Sequence, residues 1–342
     1  MKSSQIIGQP RRAFDILRER DCRFVLFGLK GKEVSWRGLR LLAFVFFGSL
    51  FFAACILPVL YWIAQWAAIN EAPQLAKSFL ANRVDKVFDF LRWLPVLIGL
   101  PWVMWLCHLR SFDSLGLGRT GHVRSTLVCG FLVGSLLIAL LGTGQLAFGA
   151  TFFNPRAEVS LGQISEWVAL SFAFATIVAL TEEVIFRGLI LRLFYSATLR
   201  PGLALILSSA FFAYTHFKIP PGEWTKVGAV HWDTGWYAAY WMLVGISVEF
   251  DLKRFVALLL LGMVLGTLML RTGSLWPGIA LHSGLVFGML LYHDLVNGFE
   301  IGSFWGSKAL IDGWAGVLAL AILFVIVLTG SLSSHQRTRA LS

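Results

Sequence analysis

Apolar residues fall into eight long runs along the chain, and most polar residues collect between those runs. The runs lie at 39–66, 92–109, 124–148, 166–192, 201–217, 253–271, 274–293 and 312–331. A helix of about 20 apolar residues crosses the hydrocarbon core of a bilayer, and most of these runs reach or approach that length. The pattern therefore predicts an all-α fold, a polytopic transmembrane helical bundle with about eight spans.

The composition agrees with a membrane protein. Of the 342 residues, 57% are hydrophobic and only 14% are charged, whereas soluble domains contain about 25% charged residues. The net charge of +10 would favour a nucleic-acid partner only if a recognition motif accompanied it, and none does. Because the basic residues cluster outside the apolar runs, we expect the lipid bilayer as a partner and no nucleic acid.

The basic residues also predict the orientation of the chain. Residues 1–40 hold ten Lys and Arg against four acids, which by the positive-inside rule predicts a cytoplasmic basic N-terminal segment over 1–38. With this end inside, the inside connections carry arginine and the outside connections carry mixed charge. The inside arginines are Arg110, Arg119, Arg124, Arg192, Arg200, Arg271, Arg337 and Arg339. Both termini are therefore expected in the cytoplasm.

The segment 218–252 differs from the other connections because it is rich in Trp and Tyr. These side chains favour the membrane–water interface, and residues 236–250 have the length of a helix lying on the membrane or dipping into it. Two interpretations remain open: an interfacial loop, and a lid or substrate-entry element.

Three charged residues lie in the interior of the fourth apolar run: Glu182, Glu183 and Arg187. A charge inside a membrane costs a few kcal/mol on insertion scales, so such residues are usually functional. Glu183 and Arg187 are four residues apart with the acid first, the better order for an ion pair on a helix. Glu182 lies about 100° around the helix and is predicted to be a catalytic carboxylate. The alternative is a buried polar network that only fixes helix packing.

Two histidines in later apolar runs complete a candidate active site. Glu182 lies 18 residues before Arg200 at the next turn, and His216 lies about 15 residues after that turn. At about 1.5 Å per residue, the two side chains reach nearly the same depth in a helical hairpin. Counting does not fix the depth of His282. The alternatives are an interfacial helix-end histidine for His216 and a helix–helix hydrogen bond for His282.

A carboxylate with two histidines suits peptide hydrolysis by activated water. The carboxylate can take a proton from water as a general base, and one histidine can orient the water or move the proton. The second histidine can donate a hydrogen bond to the oxyanion of the tetrahedral intermediate. The four cysteines form no CxxC pair and predict neither a disulfide framework nor a zinc site. We expect no cofactor and no metal.

These residues resemble the motifs of the CPBP family, the CAAX-processing and bacteriocin-processing intramembrane endopeptidases. The EExxxR motif of that family is matched by Glu182-Glu183-Val184-Ile185-Phe186-Arg187. Its FxxxH motif is matched by Phe212-Ala213-Tyr214-Thr215-His216, and the flank and histidine of its third motif by Ser274 to His282. The resemblance covers about residues 165–295 and implies a CAAX-protease-like core there.

The resemblance also implies a role for each residue. Glu182 would activate water together with His216, and His282 would help to form the oxyanion hole. Glu183 and Arg187 would support the site. Family members of this kind are regarded as glutamate-type rather than metal-dependent proteases, and this chain has no HExxH motif.

Two positions depart from the family pattern. Val286 stands where the third motif usually has Asn, four residues after its histidine. Pro220 stands where members that act on prenylated proteins have Asn, four residues after the second histidine. Both departures argue against a prenylated CAAX substrate, and the longer insertion at 218–252 suggests a subfamily with its own substrate.

The predicted function is an intramembrane endopeptidase that hydrolyses a peptide bond of a membrane-anchored protein or peptide by glutamate-activated water. The alternatives are a non-enzymatic peptide-binding, immunity or chaperone protein of the same fold, and an ion-coupled transporter. The resemblance implies an integral protein of the bacterial inner membrane, with its oligomeric state open. The predicted regions are 1–38, the basic segment; 39–150, the N-terminal spans; 165–295, the core with its insertion; and 312–342, the last span and basic tail.

Overall fold

The structure is a computed structural model of the chain. It describes residues 34–70, 74, 79–80, 84–118, 123–153, 160–217, 230–248, 250–297 and 304–330. Most of the predicted N-terminal basic segment, the predicted basic tail and residues 218–229 of the predicted insertion lie outside the described residues.

The described residues are mainly helical, with one short pair of strands. In chain order the helices are α1 (Arg37–Asn70), α2 (Val84–Leu106), α3 (Phe112–Leu115), α4 (Val123–Ala147), α5 (Leu161–Glu183), α6 (Leu191–Thr198), α7 (Pro201–Thr215), α8 (Thr234–Val248), α9 (Leu252–Thr272), α10 (Trp276–Leu295) and α11 (Trp314–Thr329). The π-helical segment Val184–Ile190 joins α5 to α6. Strands β1 (Phe152–Phe153) and β2 (Val296–Asn297) pair antiparallel.

Five helical stretches of the described chain are long and apolar enough to cross a membrane: α1, α2, α4, the continuous stretch Leu161–Thr198, and α9. A helix occupies each of the eight predicted runs, and the predicted helical membrane bundle is confirmed. Five stretches qualify as spans where eight runs were predicted. Helices α7 and α11 are apolar but short, with 15 and 16 residues, and α10 is not among the five. The chain is an integral membrane protein.

The chain divides into two compact units. One comprises residues 35–108 and 214–251, and in it α1 packs against α2 and α8. Leu57, Phe88 and Ala238 are fully buried in its apolar core. Helix α8, Thr234–Val248, covers most of the helix predicted at 236–250.

The other unit contains the described parts of 109–213 and 252–342. Here α10 packs against both α4 and α5, and α9 packs against α10 and α11. The guanidinium of Arg271, in the last turn of α9, donates to the carbonyl oxygens of Val327 and Gly330. These acceptors belong to the C-terminal end of α11, where helix carbonyls lack intrahelical partners, so Arg271 ties α11 to α9.

Glycines allow α4 and α10 to approach closely. A Cβ atom on Gly130 would lie 2.7 Å from the Cβ of Ala280, and one on Gly288 would lie 2.9 Å from the Cβ of Ile138. The two contacts are eight residues apart on each helix, so the helices run parallel. Small residues at such spacing let helix backbones meet within a membrane, where packing rather than hydrophobic burial drives association.

We expect Gly284→Ala to destabilise this interface, because the added Cβ would overlap the carbonyl oxygen of Phe131. Overpacking a well-packed site costs about 1–3 kcal/mol, which should lower the thermal unfolding midpoint of the detergent-solubilised protein. Gly99→Ala in α2 is the control, because nothing lies within 4 Å of its new Cβ. Equal midpoints for the two variants would contradict the close approach of α4 and α10.

Hydrogen bonds hold α10 near both of its ends. The backbone N–H of Leu275, just before α10, donates to the carbonyl of Gly116 at 2.8 Å. Near the C-terminal end of α10, the hydroxyl of Tyr292 donates to Oε1 of Gln145 at 2.8 Å and lies 2.8 Å from the hydroxyl of Thr151. All three of these side chains are buried. These contacts fix the position of α10 along α4, and with it the level of His282.

Candidate active site

The buried face of α5 leads directly to the candidate site. Ser171, Ala175, Ala179 and Glu183 are buried and recur every four residues, so they form one face of the helix. The small side chains of the first three suit the packing of α5 against α10. The last of them, Glu183, is therefore placed inside the protein by the same periodicity that buries the alanines.

The backbone changes its winding immediately after Glu183. Residues 184–190 form a π-helical segment, and Arg187 lies in its middle. Such wider turns occur mostly as short insertions in α-helices and frequently at functional sites. The sequence motif predicts an ordinary helix here, and the change of winding is a finding of the structure.

One carboxylate oxygen of Glu183 serves two partners. Nη1 of Arg187 donates to Oε1 of Glu183 at 2.9 Å, and Nδ1 of His282 lies 3.1 Å from the same oxygen. Glu183 is fully buried, while Arg187 and His282 are 3% and 4% exposed. The predicted pairing of Glu183 with Arg187 is present, and the structure adds the contact with His282.

Glu182 lies on the other side of the same histidine. Its Oε2 is 3.8 Å from Nε2 of His282, and its side chain keeps 20% of its exposure while that of Glu183 keeps none. His282 is thus set between the two carboxylates, with one ring nitrogen directed to each. At 3.8 Å the contact with Glu182 is an electrostatic one, too long for a hydrogen bond.

The phenylalanine of the second motif packs against the charged cluster. The guanidinium carbon of Arg187 lies 4.5 Å from the centre of the Phe212 ring, within the range of a cation–π contact. The ring of Phe212 is also edge-on to that of His282, with centroids 6.4 Å apart. Phe212 therefore confines Arg187 and His282 from the side of α7, a role that the motif alone does not indicate.

Gly278 makes room for the carboxylate of Glu183. A Cβ atom at this position would lie 2.9 Å from Oε2 of Glu183, closer than real Cβ contacts. The same oxygen is buried without a hydrogen-bond partner, as is Nη2 of Arg187. The glycine belongs to the flank of the third motif, where it could be recognised, but its contact with Glu183 follows only from the packing of α10.

We expect Gly278→Ala to reduce activity, because the methyl group would press on the carboxylate that holds Arg187 and His282. A displacement of about 1 Å in a catalytic arrangement can cost about 10²-fold in rate. Gly188→Ala is the matched control, since its Cβ would make only ordinary contacts, the nearest at 3.5 Å to Leu275. Both variants would be compared by the appearance of new protein termini in membranes. Equal activity would contradict the proposed space requirement.

His216 directly follows α7 and is half-buried. It belongs to the unit formed by residues 35–108 and 214–251. In that unit the hydroxyl of Tyr214 donates to the carbonyl of Leu243 at 3.1 Å. Its pairing with Glu182 stays a prediction. Val286, at the usual asparagine position, is half-buried and has no polar side-chain atom to donate.

The structure thus brings together four of the five predicted site residues: Glu182, Glu183, Arg187 and His282. Among the described residues there is no group of three or more His, Cys, Asp and Glu side chains placed to hold a metal ion. The chemistry of the cluster is that of two carboxylates, one paired with a buried cation, on either side of an imidazole.

The cluster and its helices fall in one continuous stretch that can be compared with known families. Residues 164–288 match the family model of type II CAAX prenyl endopeptidase Rce1-like proteins. The resemblance to the CAAX-protease family is confirmed. The matched stretch contains all five predicted site residues. By this match the stretch is similar to CAAX-protease-type intramembrane endopeptidases. Searches of curated proteins and of solved structures gave no match.

Proposed function

We propose that this protein is an intramembrane endopeptidase that hydrolyses a peptide bond of a membrane-associated protein or peptide, using water activated by Glu182. The observation that carries the proposal is the unequal environment of two adjacent glutamates. Glu183 is fully buried and committed to Arg187 and His282, whereas Glu182 keeps 20% exposure. A carboxylate that activates water needs a route to water, and of the two carboxylates Glu182 is the one whose side chain is partly exposed, with its Oε2 atom buried.

The burial of the cluster supports catalysis over a purely structural role. Each buried charge has a desolvation cost, so a network that only fixes helix packing does not require an additional carboxylate. The ion pair of Glu183 and Arg187 would be complete without Glu182. The second carboxylate, 3.8 Å from a buried histidine, is therefore better explained by proton transfer.

In the proposed reaction, Glu182 accepts a proton from water while the water oxygen attacks the carbonyl carbon of the substrate peptide. His216 orients the water, as the family resemblance implies. The tetrahedral intermediate then collapses as its C–N bond breaks, and the departing nitrogen receives a proton. The products are a new carboxyl terminus and a new amino terminus, so each cleavage leaves two detectable chain ends.

The substrate class follows from the surroundings of the site. The cluster lies on helices of an integral membrane protein, and α5 belongs to one of the five stretches that can cross a membrane. A substrate must therefore reach Glu182 from the membrane or its surface, which favours membrane-anchored proteins and peptides. The departures at Pro220 and Val286 lead us to propose a substrate other than a prenylated CAAX protein.

The test compares protein termini in membranes of cells that carry the wild-type protein with those that carry Glu182→Ala, at matched expression. Termini that appear only with the wild type would establish proteolysis and identify a substrate. The same termini in both samples, with both proteins folded and abundant, would overturn the proposal. That result would favour the non-enzymatic peptide-binding alternative.

A further inference from the structure

The carboxylate of Glu183 constrains which nitrogen of His282 carries a proton. A carboxylate oxygen only accepts hydrogen bonds. Oε1 of Glu183 already accepts from Nη1 of Arg187 at 2.9 Å, and Nδ1 of His282 lies 3.1 Å away from it. If Nδ1 carried a lone pair instead of a proton, two lone pairs would face each other at hydrogen-bond distance inside the protein.

We propose that Glu183 is a positioning residue that holds His282 as its Nδ1–H tautomer and so directs the lone pair of Nε2 toward Glu182. The distance from Nε2 to Oε2 of Glu182 is 3.8 Å, so the ring nitrogen that does not face Glu183 faces Glu182. In a neutral histidine one nitrogen donates and the other accepts. Neutral His282 is therefore an acceptor on the side of Glu182.

The neighbours of His282 hold this arrangement in place. Arg187 fixes Oε1 of Glu183 from one side, and the ring of Phe212 confines both Arg187 and His282. Gly278 leaves just enough space for the carboxylate. Because His282 is 4% exposed, a ring flip would bury an unsatisfied N–H, which is costly.

The arrangement suggests a proton transfer from Glu182 to His282, a step that rests on the proposed function. After Glu182 has taken a proton from water, its O–H can pass that proton to Nε2 of His282, leaving Glu182 ionised again and His282 cationic beside the ionised Glu183. His282 then holds an N–H at Nε2, which it can donate to the oxyanion and release to the departing nitrogen as the C–N bond breaks. The donor that the family resemblance assigns to His282 would thus be created during the reaction.

The tautomer can be measured directly by nitrogen NMR of histidine in the detergent-solubilised full-length protein. Replacing His108, His122, His231, His293 and His335 by glutamine leaves two labelled histidines, His216 and His282, of the original seven. A His216→Gln version of that protein identifies the remaining signal. We expect His282 to be found as the Nδ1–H tautomer at neutral pH. The Nε2–H tautomer would overturn the proposal.

Glu183→Asp tests whether Glu183 determines the tautomer of His282. Aspartate keeps the charge for Arg187 but withdraws its oxygens from His282 by one methylene, so the two tautomers should mix. A Glu183→Asp spectrum identical to that of the wild type would overturn the positioning role. If Glu183→Asp does not fold, the wild-type spectrum alone still decides the tautomer. The spectrum is recorded whether or not the protein cleaves a peptide, so missing cleavage would overturn the proposed function and leave the tautomer assignment standing.

Discussion

Replacing Glu182 by glutamine is expected to abolish the appearance of new protein termini while leaving the amount of folded protein close to that of the wild type. Glutamine has nearly the shape of glutamate but cannot take a proton from water. A positioned general base typically accelerates the reaction about 10²–10⁴-fold, and a loss of that size would make the cleavage products undetectable. The fold should tolerate the change because Glu182 keeps 20% exposure and is not the partner that pairs with Arg187.

The measurement needs two readouts on the same membranes: protein termini, and the amount of protein that remains monodisperse after detergent extraction. Loss of the first with preservation of the second is the expected result. Full activity of Glu182→Gln would remove the central residue from the proposed mechanism. Glu183→Gln is expected to lower the amount of folded protein, as argued below. An equally low amount for Glu182→Gln would contradict the proposed division of roles between the two glutamates.

Glu183→Gln is expected to destabilise the protein strongly. The side chain of Arg187 is 3% exposed, and it donates a hydrogen bond to the carboxylate that the substitution neutralises. Removing one partner of a buried ion pair costs about 3–5 kcal/mol, because an uncompensated charge remains inside the protein. The unfolding midpoint in detergent should therefore fall well below that of the wild type and of Glu182→Gln, a matched change at the adjacent position.

A double variant separates the loss of charge balance from the loss of shape. Glu183→Gln combined with Arg187→Met removes both charges and keeps similar volumes, which for buried pairs is often neutral or stabilising. We expect the double variant to be more stable than Glu183→Gln alone, so that the two changes are far from additive. Additive losses would show that the stability of the site does not depend on the ion pair.

Much of the fold follows from the sequence because membrane insertion leaves few choices. Within lipid, a single span satisfies its backbone hydrogen bonds only as a helix, so each apolar run predicts a helix, and each predicted run contains one. The lengths were less well predicted. The run 166–192 lies within a continuous helical stretch, Leu161–Thr198, whereas the run 201–217 contains a helix of only 15 residues.

The local part of the site could likewise be predicted. Glu183 and Arg187 are four residues apart, a spacing that brings side chains together on almost any helix, and the structure has them 2.9 Å apart. The π-helical winding after Glu183 could not be predicted, because it depends on the packing around residues 184–190 and no residue of that segment demands it.

The contacts of His282 depend on the tertiary structure. It lies 99 positions from Glu183 in the chain, and counting along separate helices does not fix their relative depth. The level of α10 is set by its glycine contacts with α4 and by the hydrogen bonds near its ends. That placement turns Nδ1 of His282 to Glu183 and Nε2 to Glu182, a distinction that the motif does not contain.

The sequence by itself determined the membrane-embedded helices, the motif residues and the pairing of Glu183 with Arg187, since each depends on hydrophobicity or on neighbours within one helix. The tertiary structure alone decided that one oxygen of Glu183 serves both Arg187 and His282, and that Glu182 stays partly exposed. The physical reason is that these contacts join helices far apart in the chain, and small residues such as Gly278 and Gly284 control how closely those helices meet.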